Sequence, residues 1–328
     1  MITCVPGFAI GHASDFKNIT GCSVILCPPG TVGSVDIRGS AAGTRQLDAL
    51  RGFHIVEEVN AVFLSGGSAF GLDAAGGVMQ FLEEQGQGFD VAITRVPTVP
   101  SAVIYDLSLG NCRVRPDKAM GYAACRAARP EFQAVGSLGA GTGASVGKLF
   151  GIGQATKGGL GSTCLEGPNG LLVGALAVVN AFGDVVDPET GEIVAGTRTA
   201  PDSRKFADSA ALIRQGVVRQ SFGEPNTTIG VIVTNACLTR QQAQKIAQMG
   251  QNGLARTIRP VHTLFDGDIV FVLAHPEVSV DLHIVGLLAQ AALETAIITA
   301  VREADGLGCL PSCRDLQGGE PEPAWEGP

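Results

Sequence analysis

The sequence predicts a mixed α/β protein, on the evidence of two alternating patterns. Short β-branched and apolar runs, such as residues 229–233 and 269–273, are typical of buried strands. Longer segments with apolar residues at helical spacing, such as residues 239–257, lie between such runs. Hydrophobic residues make up 45% of the 328 residues and charged residues 16%, a composition that favours a large buried core.

The part of the chain that ends at Asn180 contains four clear elements. It is predicted to form a strand at residues 61–64, helices at residues 72–84 and 117–128, and a strand at residues 172–179. The glycines of SGGSAFG, between the first strand and the first helix, allow a tight turn and close packing. Pro116 precedes the second helix, where proline suits a helix start. Asn180 therefore lies where a strand opens into a loop.

Thr227 is predicted to begin a buried strand. Pro225 and Asn226 are turn formers, whereas the run after them is β-branched and too short for a helix. Thr239 and Gln242 then form a capping box, the signature of a helix start. The elements after the strand are predicted to be a helix to about residue 257, a strand at residues 269–273 and a helix that ends near residue 305.

One domain is expected. No linker divides residues 1–316, and the length fits one large domain as well as two ordinary ones. Residues 317–328 are polar and rich in glycine and proline, so this tail is predicted to be disordered.

Charge and hydropathy exclude several classes of partner. The net charge of −8 and the pI of about 5.2 oppose binding to a phosphate backbone, so no nucleic-acid partner is expected. The apolar segment at residues 278–301 contains Asp281 and Glu294, which indicates a buried helix and not a membrane span. No basic segment followed by an apolar stretch opens the sequence, so no secretory signal is predicted. We expect a cytoplasmic protein.

The cysteines and histidines give no metal or disulfide pattern. Nine cysteines are scattered without Cys-x-x-Cys spacing, and they are expected to be reduced thiols. Five histidines lack ligand spacing, so no metal site is predicted. Structural roles are expected for His12 and His262.

A threonine that begins a strand can also become a new chain terminus. If the Thr227 hydroxyl attacked the Asn226 carbonyl, the product would carry a nucleophile and an α-amine on one residue. That amine has a reference pKa of about 7.7 to 8.0, close enough to neutrality to take the hydroxyl proton. The alternative is a threonine that only starts a strand, and this segment alone favours the alternative.

A set of ordered motifs favours self-cleavage. PNTTIGVIVTNA and HTLFDGDIVF resemble the self-processing core of the DmpA-like aminopeptidases, a family that includes β-peptidyl aminopeptidases and nylon-oligomer hydrolases. Five upstream segments resemble family blocks in the family's order: VDIRGSAAGTR, FLSGGSAFGLDAAGGV, VPSAVIYDL, GAGTGASVGK and VVNAFGDVVDPETG. Together these segments span roughly residues 5–312.

The resemblance implies a fold and a processing event. The implied fold is a four-layer αββα sandwich of the DmpA and ornithine acetyltransferase type. The implied cleavage at Asn226-Thr227 would give fragments 1–226 and 227–316, held together because the strand that starts at Thr227 would be central. The resemblance also implies a homo-oligomer, in relatives often a tetramer, and no external cofactor.

Roles for site residues are carried over from the matched motifs. Thr227 matches the family's nucleophile, and Asn180 matches an asparagine whose side-chain NH2 donates to the oxyanion. Lys148 matches a lysine near the nucleophile, where a cation helps to keep the α-amine neutral. An asparagine that caps a turn and a solvated surface lysine are the plainer alternatives.

Three more positions follow from the same motifs. Asp266 and Asp268 match paired acidic or polar residues that hold the nucleophile and its amine, and as residues i and i+2 of an extended segment they could face one site. Tyr105 falls on a position that lines the substrate pocket in some relatives. Asp36 and Arg38 are expected to form a structural ion pair.

The implied activity is hydrolysis of amides or esters in short amino-terminal substrates, such as small peptides. The first alternative is an acyl transferase of the ornithine acetyltransferase type, although GEPN before Thr227 departs from the pattern of those enzymes. A nucleotide-binding module fails because GAGTGASVGKL lacks P-loop spacing. An uncleaved structural relative is the third alternative.

Overall fold

The computed structural model describes residues 1–131, 134–218 and 225–317. All but the first residue of the predicted tail, residues 317–328, lies outside this range, so its disorder stays a prediction. The strands are β1 (Ala9–Asp15), β2 (Thr20–Leu26), β3 (Val32–Ile37), β4 (Gly43–Arg45), β5 (Ala61–Ser65), β6 (Phe89–Asp90), β7 (Arg95–Val96), β8 (Ser101–Val103), β9 (Ser145–Val146), β10 (Thr156–Lys157), β11 (Gly159–Glu166), β12 (Leu172–Asn180), β13 (Asp184–Val186), β14 (Ile193–Ala195), β15 (Thr227–Ala236), β16 (Ile258–Arg259) and β17 (Ile269–Val278).

The helices lie between these strands. The α-helices are α1 (Ala75–Glu84), α2 (Lys118–Ala127), α3 (Ser209–Arg214), α4 (Arg240–Thr257), α5 (Leu282–Arg302) and α6 (Cys313–Leu316). Short 3-10 helices are formed by Ile2–Cys4, Leu47–Leu50, Ser68–Ala74, Gly139–Gly141, Ile152–Gln154 and Pro168–Gly170.

Two five-stranded sheets organise the described residues. The first has the strand order β1-β2-β5-β8-β4 and the second has the order β11-β12-β15-β17-β3. In the second sheet β15 pairs antiparallel with β12 and parallel with β17. The strand that begins at Thr227 is therefore the middle strand of its sheet, as the resemblance implied.

Both faces of β15 are buried, and they pack into different hydrophobic clusters. Ile232 belongs to a cluster with residues of α4 and α5, whereas Val231 and Val233 belong to a cluster shared with strands of the first sheet. A third cluster joins β2 and β5 to α1 and α2. Because alternate side chains of a strand point to opposite faces, a continuous apolar run is what such a position requires.

Local sequence patterns identified most elements correctly. The capping box at Thr239 is formed by its hydroxyl and the Gln242 side chain, and α4 ends at Thr257 as predicted. The helix predicted at residues 72–84 differs, because a 3-10 helix runs from Ser68 to Ala74 and α1 starts only at Ala75. A Cβ at Gly71 would lie 1.9 Å from the Gly66 carbonyl oxygen, so this turn is wound tightly against its own start.

The expectation of nine reduced cysteines is wrong for two of them. Cys4 and Cys164 form a disulfide, and the other seven cysteines are free. These two residues are 160 positions apart, and packing of the first 3-10 helix on β11 brings them together. Their spacing carries no local signal. Since disulfides are rare in cytosolic proteins, a cytoplasmic location stays a prediction.

Helix α5 is long and apolar enough to cross a membrane by length and composition, with a mean hydropathy of 1.9 over its most apolar window. It packs against α4, β11 and β12, and half of that window is buried inside the fold. This packing is that of a core helix, as the polar residues at positions 281 and 294 indicated.

Close packing of α5 on β11 depends on Gly161. A Cβ at this position would lie 2.0 Å from the Ala296 carbonyl oxygen of α5, so Gly161→Ala must move the helix or the strand. We expect a loss of about 1–3 kcal/mol in the free energy of unfolding, measured by urea denaturation. Gly153→Ala is the matched control, because nothing lies within 4 Å of a Cβ there. Equal stability of the two variants would contradict this account of the contact.

Candidate active site

Thr227 and Asn180 are paired across the second sheet. Antiparallel pairing of β12 with β15 puts the last residue of one strand opposite the first residue of the other. Both residues are buried, with exposures of 3% for Thr227 and 0% for Asn180. Two positions far apart in the sequence therefore lie side by side, where β12 ends and β15 begins.

The residue before Thr227 is clamped by main-chain hydrogen bonds. The Asn226 N–H donates to the Phe265 carbonyl at 2.7 Å, and the Gly267 N–H donates to the Asn226 carbonyl at 2.7 Å. The Thr227 hydroxyl also donates to the Asn226 carbonyl oxygen, at 2.6 Å. The Asn226 carbonyl oxygen therefore accepts two hydrogen bonds, one from the Thr227 hydroxyl and one from the Gly267 N–H.

Lys148 fixes the orientation of the Asn180 amide. Its Nζ lies 2.7 Å from Asn180 Oδ1, and the Ser145 N–H donates to the same oxygen at 3.1 Å. Because lysine and a backbone N–H can only donate, the atom facing them must be the amide oxygen. The amide nitrogen then points the other way and donates to the Tyr105 carbonyl at 3.1 Å.

The loop before Lys148 needs glycine to reach this position. Gly147 has φ +71°, and a Cβ there would lie 1.9 Å from the Thr197 nitrogen. The Lys148 N–H donates to the Phe182 carbonyl at 2.9 Å, which ties the loop to the segment that follows Asn180. Lys148 is 2% exposed, so its side chain is buried and not at the solvated surface.

Asp266 lies beside the site and binds neighbouring loops. One oxygen accepts the Phe182 N–H at 3.1 Å, and the other accepts the Thr263 hydroxyl at 2.5 Å. Burial and, second, the negative charge of Asp268 together raise the pKa of Asp266 to about 6.

Asp268 holds the start of β15. One of its oxygens accepts the Thr228 N–H at 2.8 Å, and the other lies 2.9 Å from His262 Nδ1. The Asp268 carboxylate therefore binds the main chain directly after Thr227, whereas the Asp266 carboxylate binds Phe182 and Thr263. The main-chain carbonyls of both aspartates are bound by the segment after β3: the Ala41 N–H donates to the Asp266 carbonyl, and the Arg38 N–H donates to the Asp268 carbonyl.

Tyr105 lies next to the site and contacts it through its main chain. A small cavity is lined by Tyr105, Asp106, Ser108, Ser145, Lys148 and Ile152. Burial raises the pKa of the Asp106 carboxyl to about 6, although it accepts hydrogen bonds from the Thr20 hydroxyl and the Gly67 N–H. The predicted ion pair between Asp36 and Arg38 is present, with its atoms 3.0 Å apart.

Three groups at the site have no counterpart among the predicted site residues. They are the Gly267 N–H, the Ser145 N–H and the His262 ring. Gly267 stands between two aspartates and looks like a spacer in the sequence, whereas its N–H makes the contact to Asn226. Among the residues that the structure describes, no cluster of three or more His, Cys, Asp or Glu side chains could hold a metal ion.

Comparison with known proteins identifies the family. A family model described as Peptidase family S58 matches residues 1–309. An uncharacterized aminopeptidase of Mycobacterium tuberculosis is 43% identical over 315 residues, which cover 92% of this chain and 88% of that protein. A 6-aminohexanoate-oligomer endohydrolase of Kocuria sp. is 31% identical over 314 residues, which cover 90% of this chain and 84% of that enzyme.

A solved structure is similar in fold. The L-aminopeptidase D-Ala-esterase/amidase of Ochrobactrum anthropi matches with a TM-score of 0.67 and 18% identity, over 93% of this chain and 86% of that chain. That protein is described as a prototype of the serine aminopeptidases and a variant among the Ntn hydrolase fold. At this identity the match shows the fold alone, a mixed α/β architecture of that type. Given the family match over nearly its whole length, the chain belongs to peptidase family S58 and is an aminopeptidase-type hydrolase.

Proposed function

We propose that this protein cleaves its own Asn226-Thr227 bond and then uses Thr227 as the N-terminal nucleophile of an aminopeptidase or amidohydrolase. One observation carries the proposal. The Thr227 hydroxyl lies 2.6 Å from the Asn226 carbonyl oxygen, and the Gly267 N–H donates to that same oxygen at 2.7 Å. A nucleophile and an oxyanion donor thus converge on one peptide bond.

In the first stage the Thr227 oxygen attacks the Asn226 carbonyl carbon. The Gly267 N–H stabilises the negative charge that develops on the carbonyl oxygen. The C–N bond breaks, the Thr227 nitrogen takes up the hydroxyl proton, and an ester between Asn226 and Thr227 remains. Water hydrolyses this ester to give the Asn226 carboxylate and a free Thr227 with its own hydroxyl and amine.

In the second stage the freed Thr227 amine takes the hydroxyl proton while the oxygen attacks a substrate carbonyl. Asn180 Nδ2 carries a second hydrogen besides the one donated to Tyr105, and this hydrogen is the proposed oxyanion donor. The Lys148 cation keeps the amide oriented and disfavours protonation of the amine. The amine product leaves, and water releases the acyl group from Thr227.

The two fragments would stay together after cleavage. In the second sheet, β15 and β17 of fragment 227–316 lie between β12 and β3 of fragment 1–226. Separation of the fragments would expose both faces of these apolar strands, at a cost of roughly 25 cal/mol per Å2 of apolar area. The three hydrophobic clusters are consistent with a four-layer αββα sandwich, which is the proposed architecture.

The proposed substrates are amides or esters of short amino-terminal compounds, and no external cofactor takes part in the scheme. Support comes from the family match and from the small cavity beside Lys148 and Ser145. The relatives are named as an aminopeptidase and an oligomer endohydrolase, both hydrolases. The family match therefore does not favour the acetyltransferase alternative.

Replacement of Thr227 tests the proposal. We expect Thr227→Ala to give a folded, uncut and inactive chain, because it lacks the attacking oxygen. Thr227→Ser retains that oxygen and should still be cut. Intact mass spectrometry and hydrolysis of aminoacyl p-nitroanilides measure both effects. Peptidase activity in an uncut Thr227→Ala chain would refute the scheme.

Gly267→Ala tests the hydrogen bond from the Gly267 N–H to the Asn226 carbonyl. A Cβ at Gly267 would lie 2.8 Å from the Thr227 hydroxyl oxygen and 2.8 Å from the Ala41 carbonyl oxygen. The loop must therefore shift, and the 2.7 Å contact to Asn226 should lengthen. We expect self-cleavage to slow by about 10²-fold, as for loss of one oxyanion donor. Electrophoresis of freshly translated chain measures the rate, and Gly153→Ala, which should be cut at the normal rate, is the control.

Asn180→Ala tests the oxyanion donor of the second stage. We expect kcat for an aminoacyl p-nitroanilide to fall by about 10²–10³-fold with a smaller change in KM, because the lost contact forms only in the transition state. Asn252→Ala, at an exposed position of α4, is the control and should leave kcat unchanged. If cleaved Asn180→Ala has the kcat of the wild type, Asn180 is not the oxyanion donor of the second stage.

A further inference from the structure

His262 lies behind the nucleophile in a chain of hydrogen bonds. Its Nδ1 lies 2.9 Å from one oxygen of Asp268, and its backbone N–H donates to that same oxygen at 3.1 Å. The other oxygen of Asp268 accepts the Thr228 N–H at 2.8 Å. The histidine is thus joined through one carboxylate to the residue that follows Thr227.

The hydrogen-bonding pattern fixes the tautomer of this histidine. Two backbone N–H groups donate to the Asp268 carboxylate, and an ionised carboxylate only accepts hydrogen bonds, so the contact at Nδ1 is assigned to an Nδ1–H donor. His262 Nε2 is buried and has no hydrogen-bond partner among the described residues. A hydrogen on Nε2 would be a buried donor without an acceptor, so the tautomer with its hydrogen on Nδ1 fits the contacts better.

The same residue has an unusual backbone. His262 has φ +54°, a left-handed conformation that is uncommon for residues other than glycine, although histidine adopts it more often than most. The conformation brings the N–H and the ring of one residue to a single carboxylate oxygen. Asp268 is 2% exposed at its side chain and His262 17%, so water competes weakly for these contacts.

We propose that His262 is a positioning residue of the Thr227 site, which acts by holding the Asp268 carboxylate in the orientation that supports the start of β15. This inference rests on the proposed function. His262 contacts neither Thr227 nor the Asn226 carbonyl in the hydrogen bonds described above; its effect passes through Asp268. Loss of the Nδ1–H removes one of the three hydrogen bonds to the Asp268 carboxylate, so its orientation is held less tightly and the Thr228 N–H contact weakens. The Thr227 oxygen is then misplaced relative to the carbonyl that it attacks.

Two substitutions separate the side chain from the backbone. His262→Gly tolerates the positive φ and removes the ring. His262→Asn also tolerates it and puts an amide N–H close to where Nδ1 was. We expect His262→Gly to slow self-cleavage by about 10²-fold, the cost of a misplacement of about 1 Å, and His262→Asn to recover most of this loss. Electrophoresis of radiolabelled chain from cell-free translation measures the rate.

Turnover provides a second readout. With L-alanine p-nitroanilide as the probe, cleaved His262→Gly should show a lower kcat with KM within about threefold of wild type, since the effect lies on the attacking group. A purely structural histidine would instead lower stability and yield without this split. In a protein that already carries Asp268→Asn, the additional change His262→Gly should lower kcat little further, because the effect of His262 passes through Asp268.

His283 is the matched control. Its Nδ1 lies 2.9 Å from Asp281, two residues earlier, in a pair whose histidine side chain is 87% exposed at the start of α5. His283→Asn should leave cleavage and kcat unchanged. Wild-type rates in His262→Gly, or equal losses of rate in His262→Gly and His262→Asn, would overturn the inference. If Thr227→Ala is at the same time uncut and inactive, the proposed function stands. Activity that survives Thr227→Ala would overturn both the inference and the proposed function.

Discussion

The site depends on two main-chain hydrogen bonds that hold Asn226 against residues 265–267. They fix the carbonyl oxygen of one peptide beside the hydroxyl of the next residue, and β15 begins at that point. Residues 265–268 are held in turn by the segment after β3, because the Arg38 N–H donates to the Asp268 carbonyl and the Ala41 N–H donates to the Asp266 carbonyl. Segments from both ends of the chain are therefore required to present a single peptide bond.

The charged side chains around this bond, Lys148, Asp266 and Asp268, are buried. Burial of a charge costs free energy unless hydrogen bonds compensate it. The Lys148 cation binds an amide and a carbonyl oxygen of Asn180, and Asp268 accepts three N–H donors. The pKa of Asp266 is raised from 3.8 to about 6 by burial and by its charged neighbour. An acid whose pKa is higher in the folded state lowers the stability of the fold as the pH rises through this interval, so the destabilisation by Asp266 grows between about pH 4 and 6 and remains in full above about pH 6. Such a cost is common where the fold must hold reactive groups in place.

Local sequence patterns could predict the strands and helices but not which of them pack or pair with each other. Turn formers followed by a β-branched run predicted the strand at Thr227, and the capping box predicted the start of α4. The pairing of Asn180 with Thr227 follows from the strand order of the sheet, for which no local signal exists. Family resemblance named Lys148 and Asp268, yet their partners, and the role of the Gly267 N–H, depend on tertiary contacts. The Cys4–Cys164 disulfide escaped detection for the same reason.

The strand order of the second sheet has a consequence for recovery from denaturation. Two of its middle strands, β15 and β17, lie on the carboxyl side of Thr227, and their outer neighbours β12 and β3 lie on the amino side. An intact chain can rebuild this sheet by itself at any dilution. If the bond is cut as proposed, two unfolded fragments would first have to meet, so refolding would become bimolecular and would slow as the protein is diluted. A protein cut in the way proposed would be assembled once, before cleavage, and would then persist only as long as it does not unfold.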